Sequence, residues 1–211
     1  MIKLKKGIYK GYTYTCFDNT KSIFVHIPKA AGISVCDSLY NSFAGGHTTL
    51  AEYEVIFSRK DFQNYFKFAF VRNPWDRLFS AYTFLRKGGF NEVDQKWMQD
   101  NIADYKCFKS FVMDWLSQDN VSKKVHFLPQ STMLKSLDGN GIGVDFVGRY
   151  ENLEEDFNYV RERIRSGRKL VKLNQTNRFP GYYKEYYDSE MIKKVELIYK
   201  EDLDLLGYKY H

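Results

Sequence analysis

Twice in its N-terminal half the chain runs from a short apolar stretch, through a turn, into apolar residues at helical spacing. That repeated layout leaves few folds open. In the first copy, Ser22-Ile-Phe-Val-His-Ile27 reads as a buried strand and Pro28-Lys-Ala-Ala-Gly32 as a turn. Val35, Leu39 and Phe43 then recur at every fourth position, as one face of a helix requires. In the second copy, Phe66-Lys-Phe-Ala-Phe-Val71 is the strand and Arg72-Asn73-Pro74 the turn, with Leu78, Phe79, Tyr82 and Leu85 as the helical stripe. Pro74 suits the first turn of that helix, where its missing N–H costs nothing. Farther on, Phe108, Phe111, Val112 and Trp115 mark another helix, and Asp145-Phe-Val-Gly-Arg149 a late strand. A helix with Leu153, Phe157, Val160 and Ile164 on one side follows, with Asn152 and Glu155 as its capping box. A last helix is expected from about Ser189 to Asp204, with Ile192, Val195, Ile198 and Tyr199 facing inward.

Strands alternating with helices imply an α/β fold with a central, mainly parallel sheet flanked by helices. Ligands of such sheets bind at the carboxyl ends of the strands, where both turns should lie. At 211 residues, 44% hydrophobic and 18% aromatic, the chain can bury a substantial core, and one domain over residues 1–211 is expected. The net charge of +6 suits an anionic ligand, but the basic residues are scattered rather than run together, which argues against nucleic acid.

Cys16, Cys36 and Cys107 are odd in number and lack a CxxC pairing, so neither a disulfide framework nor a zinc site is expected. Met1 to Lys10 is basic, yet no apolar run of signal-peptide or membrane-span length follows. The expectation is a soluble, cytoplasmic chain in a reducing compartment. Asn174-Gln175-Thr176 matches a glycosylation acceptor, which carries little weight without a secretory signal.

Two turns carry the candidate chemistry. His26-Ile-Pro-Lys29-Ala-Ala-Gly32-Ile-Ser34 places a lysine, a glycine and a serine where a strand passes into a helix. Helix N-termini favour anions through unpaired N–H groups and the positive end of the dipole. Gly32 would let the backbone approach phosphate oxygens, Ser34 would add a hydroxyl, and Lys29 a full charge. The segment is not a Walker A loop, because its lysine precedes the only glycine by three residues. Taken alone, it is equally a turn with Gly32 at its bend and Ser34 as an ordinary N-cap. In the second turn, Arg72 leaves the strand end and Ser80 lies eight residues later, so both can address one phosphate. Arg77 is read as a surface ion-pair partner of Asp76 or its neighbours, and Trp75 as core.

With these residues in view, the chain resembles the sulfotransferases that use 3′-phosphoadenosine 5′-phosphosulfate, especially their carbohydrate sulfotransferase branch. His26 to Ser34 is similar to that family's 5′-phosphosulfate loop, and Phe70-Val-Arg-Asn-Pro-Trp-Asp-Arg-Leu-Phe-Ser-Ala-Tyr82 to its 3′-phosphate element. Weaker similarity continues through His126-Phe-Leu-Pro-Gln130, Phe146 to Leu153 and the Tyr-rich C-terminal segment, from about residue 20 to 208. The resemblance implies a sulfotransferase fold related to P-loop nucleoside triphosphate hydrolases and nucleotide kinases. It implies that Lys29 contacts the bridging oxygen and the 5′-phosphate, that Ala30, Ala31, Gly32, Ile33 and Ser34 complete that loop, and that Arg72 and Ser80 bind the 3′-phosphate. Adenosine 3′,5′-bisphosphate would be the product, the acceptor a hydroxyl of a carbohydrate or glycoconjugate, and no metal would be needed.

Sulfuryl transfer also needs a base for the acceptor hydroxyl, and Glu, Asp and His are all open in principle. Of the 4 histidines, His26 ends the first strand and is expected buried or as a wall of the donor site, and His211 is terminal. His47 lies in Gly45-Gly46-His47-Thr48-Thr49, expected to be a flexible turn from which a side chain can reach a cleft. In the carbohydrate sulfotransferases a histidine in a similarly placed segment is the base, so His47 is taken for that role. His126 is the alternative, as base or as a contact to acceptor or donor, and Arg149 and Arg178 are further candidates for the cleft. Two other functions compete: a small-molecule kinase, which should show a Walker A lysine and an acidic magnesium ligand, and a non-catalytic module binding anionic polymers.

Overall fold

The structure, a computed structural model, describes residues 13–139, 141–171, 173 and 179–210. Met1 to Lys10, the Asn174 acceptor match, Arg178 and His211 lie outside the described residues. The chain divides into two compact units, Met1–Arg72 with Gln130–Thr176 and Asn73–Pro129 with Asn177–His211. The first unit begins with α1 (Thr15–Thr20), β1 (Ser22–Val25), α2 (Gly32–Tyr40), α3 (Leu50–Ile56), α4 (Arg59–Asn64) and β2 (Phe66–Val71). The second follows with α5 (Pro74–Arg86), α6 (Glu92–Asn101), α7 (Phe108–Ser110), a π-helical turn (Phe111–Trp115) and α8 (Gln118–Val121). The first unit resumes with α9 (Gln130–Leu134), β3 (Phe146–Arg149), a 3-10 turn (Tyr150–Asn152) and α10 (Leu153–Ile164). A second 3-10 turn (Tyr182–Tyr186), α11 (Ser189–Ile198) and α12 (Lys200–Leu206) close the second unit.

The sheet of the first unit is three-stranded and parallel, in the order β1-β2-β3. Val25 pairs with Ala69, and Val71 with Arg149, so the carboxyl ends of neighbouring strands lie side by side. Every residue of β1 is buried and all but the first of β2, which is why both are mostly apolar, with only Ser22 and Lys67 as polar members. Phe24 stacks on Phe68 with ring centroids 5.1 Å apart. Gly148 faces Phe70 across the register, and a Cβ there would stand 2.6 Å from that ring. Only glycine admits the phenyl group at that point. A second aromatic cluster of Tyr14, Phe17, Tyr53 and Phe57 fills the same unit.

The second unit is helical and has its own core, with Trp75, Phe79, Phe111, Trp115, Phe127 and Tyr199 among its members. Burying each such aromatic contributes roughly 1.5–3 kcal/mol or more. Pro74 occupies the start of α5, and the Asn73 side chain caps it by accepting from the Trp75 N–H.

Several local expectations need correction. Phe43 lies beyond the end of α2 and is 60% exposed, because the helix stops at Asn41 in a left-handed conformation. The capping box at Asn152 does not form. The Asp156 carboxylate instead accepts from the Asn152 amide and from the Arg149 N–H at 2.6 Å, which fastens the start of α10 to the end of β3. The helix from Ser189 breaks in two at Tyr199. The four aromatic and apolar positions from Phe108 to Trp115 are all buried, but the segment widens into a π-helical turn closed from Leu116 N–H to Phe111 C=O. Arg77 is not a surface ion-pair partner. It is only 1% exposed and donates to the carbonyls of His126 and Leu128, because α5 turns that face into the core.

Candidate active site

Between β1 and α2 the backbone makes a tight turn in which Lys29 (φ 68°) and Ala31 (φ 64°) are both left-handed. For residues with a Cβ this conformation costs about 1–2 kcal/mol each. Ala31, not Ser34, is the N-cap of α2, and its carbonyl accepts the first helical bond from Val35. The first N–H groups of any helix must find partners outside it, so the turn aims donors of α2 beyond the ends of the strands.

Gly32 opens α2 because of His26. A Cβ at Gly32 would stand 1.8 Å from the imidazole Cδ2 and 1.9 Å from Nε2. The buried His26 ring also lies parallel to Phe24, 5.6 Å between centroids, and meets the His47 ring at 4.5 Å. His47 Nδ1 is 3.0 Å from the His26 carbonyl. A carbonyl only accepts, so Nδ1 carries a hydrogen, and in the neutral imidazole the lone pair is then on Nε2.

The turn that presents His47 is well bonded rather than loose. Gly45 and Gly46 take positive φ, Thr48 donates to the Gly45 carbonyl at 2.6 Å, and the Gly45 N–H donates to Thr13. Thr49 and Glu52 then form a full capping box at the start of α3.

Arg72, one residue past β2, is held in three ways. The Gln130 side chain accepts from the Arg72 N–H at 2.9 Å and donates to the Arg72 carbonyl at 2.8 Å. The guanidinium donates to the Lys29 carbonyl at 3.0 Å and lies over the Tyr150 ring, 3.9 Å from its centroid. Lys29, His26, His47 and Arg72 thus gather at the carboxyl ends of β1 and β2. Arg149 ends β3 in register with Val71, beside them.

Ser34 has a contact that its sequence neighbours do not announce. Its hydroxyl accepts from the Leu173 N–H at 2.9 Å. Ser38 accepts from the Val171 N–H, and Arg168 pairs with Asp37 at 2.6 Å, so the segment after α10 is strapped along α2. Partners more than a hundred residues apart leave no local signal.

Ser80 and His126 belong to the second unit. Ser80 is half-buried in α5 and its carbonyl accepts from Thr83. His126 is half-buried against Phe84. Among the described residues no group of three or more His, Cys, Asp or Glu side chains could hold a metal, and no helix is long and apolar enough to cross a membrane.

A family model described as "Sulfotransferase family" matches residues 12–209, nearly the whole chain. The chain belongs to the sulfotransferase family. Carbohydrate sulfotransferase 14 of Homo sapiens is 31% identical over 116 residues, covering 49% of this chain and 30% of that protein. Carbohydrate sulfotransferase 11 of Mus musculus is 26% identical over 154 residues, 64% of this chain and 41% of that one. An uncharacterized protein of Archaeoglobus fulgidus is 32% identical over 106 residues, 50% of this chain and 72% of its own length. The chain spans well under half the length of the two curated carbohydrate sulfotransferases. No solved structure matches it. Within the family, the α/β architecture with its parallel sheet is the one expected of a sulfotransferase fold.

Proposed function

We propose that this sulfotransferase-family chain transfers a sulfuryl group from 3′-phosphoadenosine 5′-phosphosulfate to a hydroxyl of a carbohydrate or glycoconjugate. The observation that carries it is the 3.0 Å bond from the Arg72 guanidinium to the Lys29 carbonyl. It brings the basic residues of two strand ends to one place, as a donor with phosphates on both sides of its ribose demands. Membership of the sulfotransferase family and the similarity to carbohydrate sulfotransferases 14 and 11 support the choice of reaction and acceptor.

The donor supplies a sulfur bound to a good leaving group, a phosphate oxygen. Residues 30–34 form the loop around the 5′-phosphate through backbone N–H groups, with Ser34 holding the strap at Leu173. Lys29 neutralises charge that grows on the bridging oxygen as its bond to sulfur breaks. Arg72 holds the 3′-phosphate, with Ser80 as a second contact, and His126, Arg149 and Arg178 are assigned to the acceptor. His47 Nε2 takes the proton of the acceptor hydroxyl while that oxygen bonds to sulfur. The balance is one S–O bond formed and one broken, one proton moved to His47, and adenosine 3′,5′-bisphosphate and a sulfate ester as products.

Thermal unfolding with nucleotides tests this. Adenosine 3′,5′-bisphosphate at 100 times its Kd should add about 2.7 kcal/mol of stability, and ATP with magnesium much less. Equal stabilisation by both would favour a kinase, and a response to neither a binding module.

A further inference from the structure

The strand end that carries Arg72 has two attendants to which neither the family match nor the curated relatives assign a role. We propose that Tyr150 and Gln130 are positioning residues for Arg72, and through it for recognition of the donor's 3′-phosphate. The inference rests on the donor reading given above.

Gln130 is completely buried, and its carboxamide presents an oxygen to the Arg72 N–H and a nitrogen to the Arg72 carbonyl. That is the pairing a neighbouring strand would make, supplied by one side chain where the ladder of β2 with β3 ends at Val71 and Arg149. It fixes the backbone from which the arginine departs. A buried amide with both ends paired is specific, since removing one partner strands the other.

Tyr150 fixes the other end of the side chain. It follows β3 directly, in the 3-10 turn, and the guanidinium carbon lies over its ring, 3.9 Å from the centroid. Stacking uses the face of the guanidinium, whereas its hydrogen bonds are made in its plane. The ring therefore confines the guanidinium from one side without consuming a donor, which leaves its N–H groups to fork onto an anion. The Lys29 carbonyl anchors one of those N–H groups and so limits the rotation of the guanidinium. An arginine so held loses little side-chain entropy on binding, which is the advantage of preorganisation.

The test compares two ligands by titration calorimetry: adenosine 3′,5′-bisphosphate, and adenosine 5′-monophosphate, which lacks the 3′-phosphate. Wild-type protein should prefer the bisphosphate. Tyr150→Leu should weaken the bisphosphate about fivefold to tenfold, in the range of a partly desolvated cation–π contact, and leave the monophosphate unaffected. In turnover assays the same change should raise the KM for the phosphosulfate donor more than it lowers kcat. Tyr150→Phe keeps the ring face and should recover most of what Tyr150→Leu loses. Gln130→Met should also cut the preference, and the Tyr150 pair decides the matter if that variant fails to fold. Equal weakening of both ligands in Tyr150→Leu, or undiminished preference, overturns the inference while the donor reading stands. A wild-type protein with no preference for the bisphosphate overturns both.

Discussion

A single added methyl group shows how closely the site is built. The Cβ of Gly32→Ala would fall within 2 Å of the His26 ring, and that ring is already confined by Phe24 and His47. The ring must shift and the turn with it, so a loss of about 1–3 kcal/mol is expected, read as a lower Tm together with lost activity. His47 and Lys29 should behave differently, since neither is fully buried. His47→Ala is expected to lower kcat about 10²–10⁴-fold, with the unfolding curve near that of wild type. Lys29→Ala should cost about 10²–10³ in kcat, as removal of one charge-stabilising donor does. Normal turnover in His47→Ala together with its loss in His126→Ala would move the base to the second unit. Glycine and lysine at this turn were legible in the sequence. That Gly32 makes room for an imidazole was not, because His26 lies six residues away and reaches it only through the turn.

At the scale of elements, caps and ion pairs fasten the helices. Asp94, in the first turn of α6, is buried and bonded to Lys124 at 2.6 Å. Burial pushes its carboxyl up, but the Lys124 ammonium, the Phe90 N–H and the nearby His126 outweigh this and hold it below its ordinary value of 3.8. A carboxyl lowered in the folded state adds stability that is fully present above its unfolded pKa of about 3.9. That stability is lost as pH falls through the lower folded value. Asp94→Asn should therefore lower Tm at pH 7, and the gap to wild type should narrow steadily below about pH 4 in a series of melts. A constant gap would mean that the pair contributes through packing alone. Strand positions were readable because β1 and β2 are mostly apolar, interrupted only by Ser22 and Lys67, and Pro74 marked the start of α5. The break at Tyr199 and the π-helical turn at Phe111–Trp115 were not. Both keep their apolar residues buried, so the hydrophobic pattern is the same with or without them.

For the molecule as a whole, the order of its two strand-turn-helix segments already implied a parallel α/β sheet and offered the turns at its carboxyl edge as candidate anion sites. Those conclusions follow from short-range periodicity and from the chemistry of helix N-termini, which need no knowledge of distant contacts. Only the tertiary structure decided who stands beside whom. It laid Arg72 against Lys29 and Tyr150, set Gln130 as a substitute strand, and turned Arg77 inward to the His126 and Leu128 carbonyls. It also spent the Ser34 hydroxyl on Leu173, far along the chain. Such pairings are settled by which buried polar groups find partners once the core has closed. That competition among residues remote in sequence leaves no periodic trace, whereas the alternation of strand and helix does.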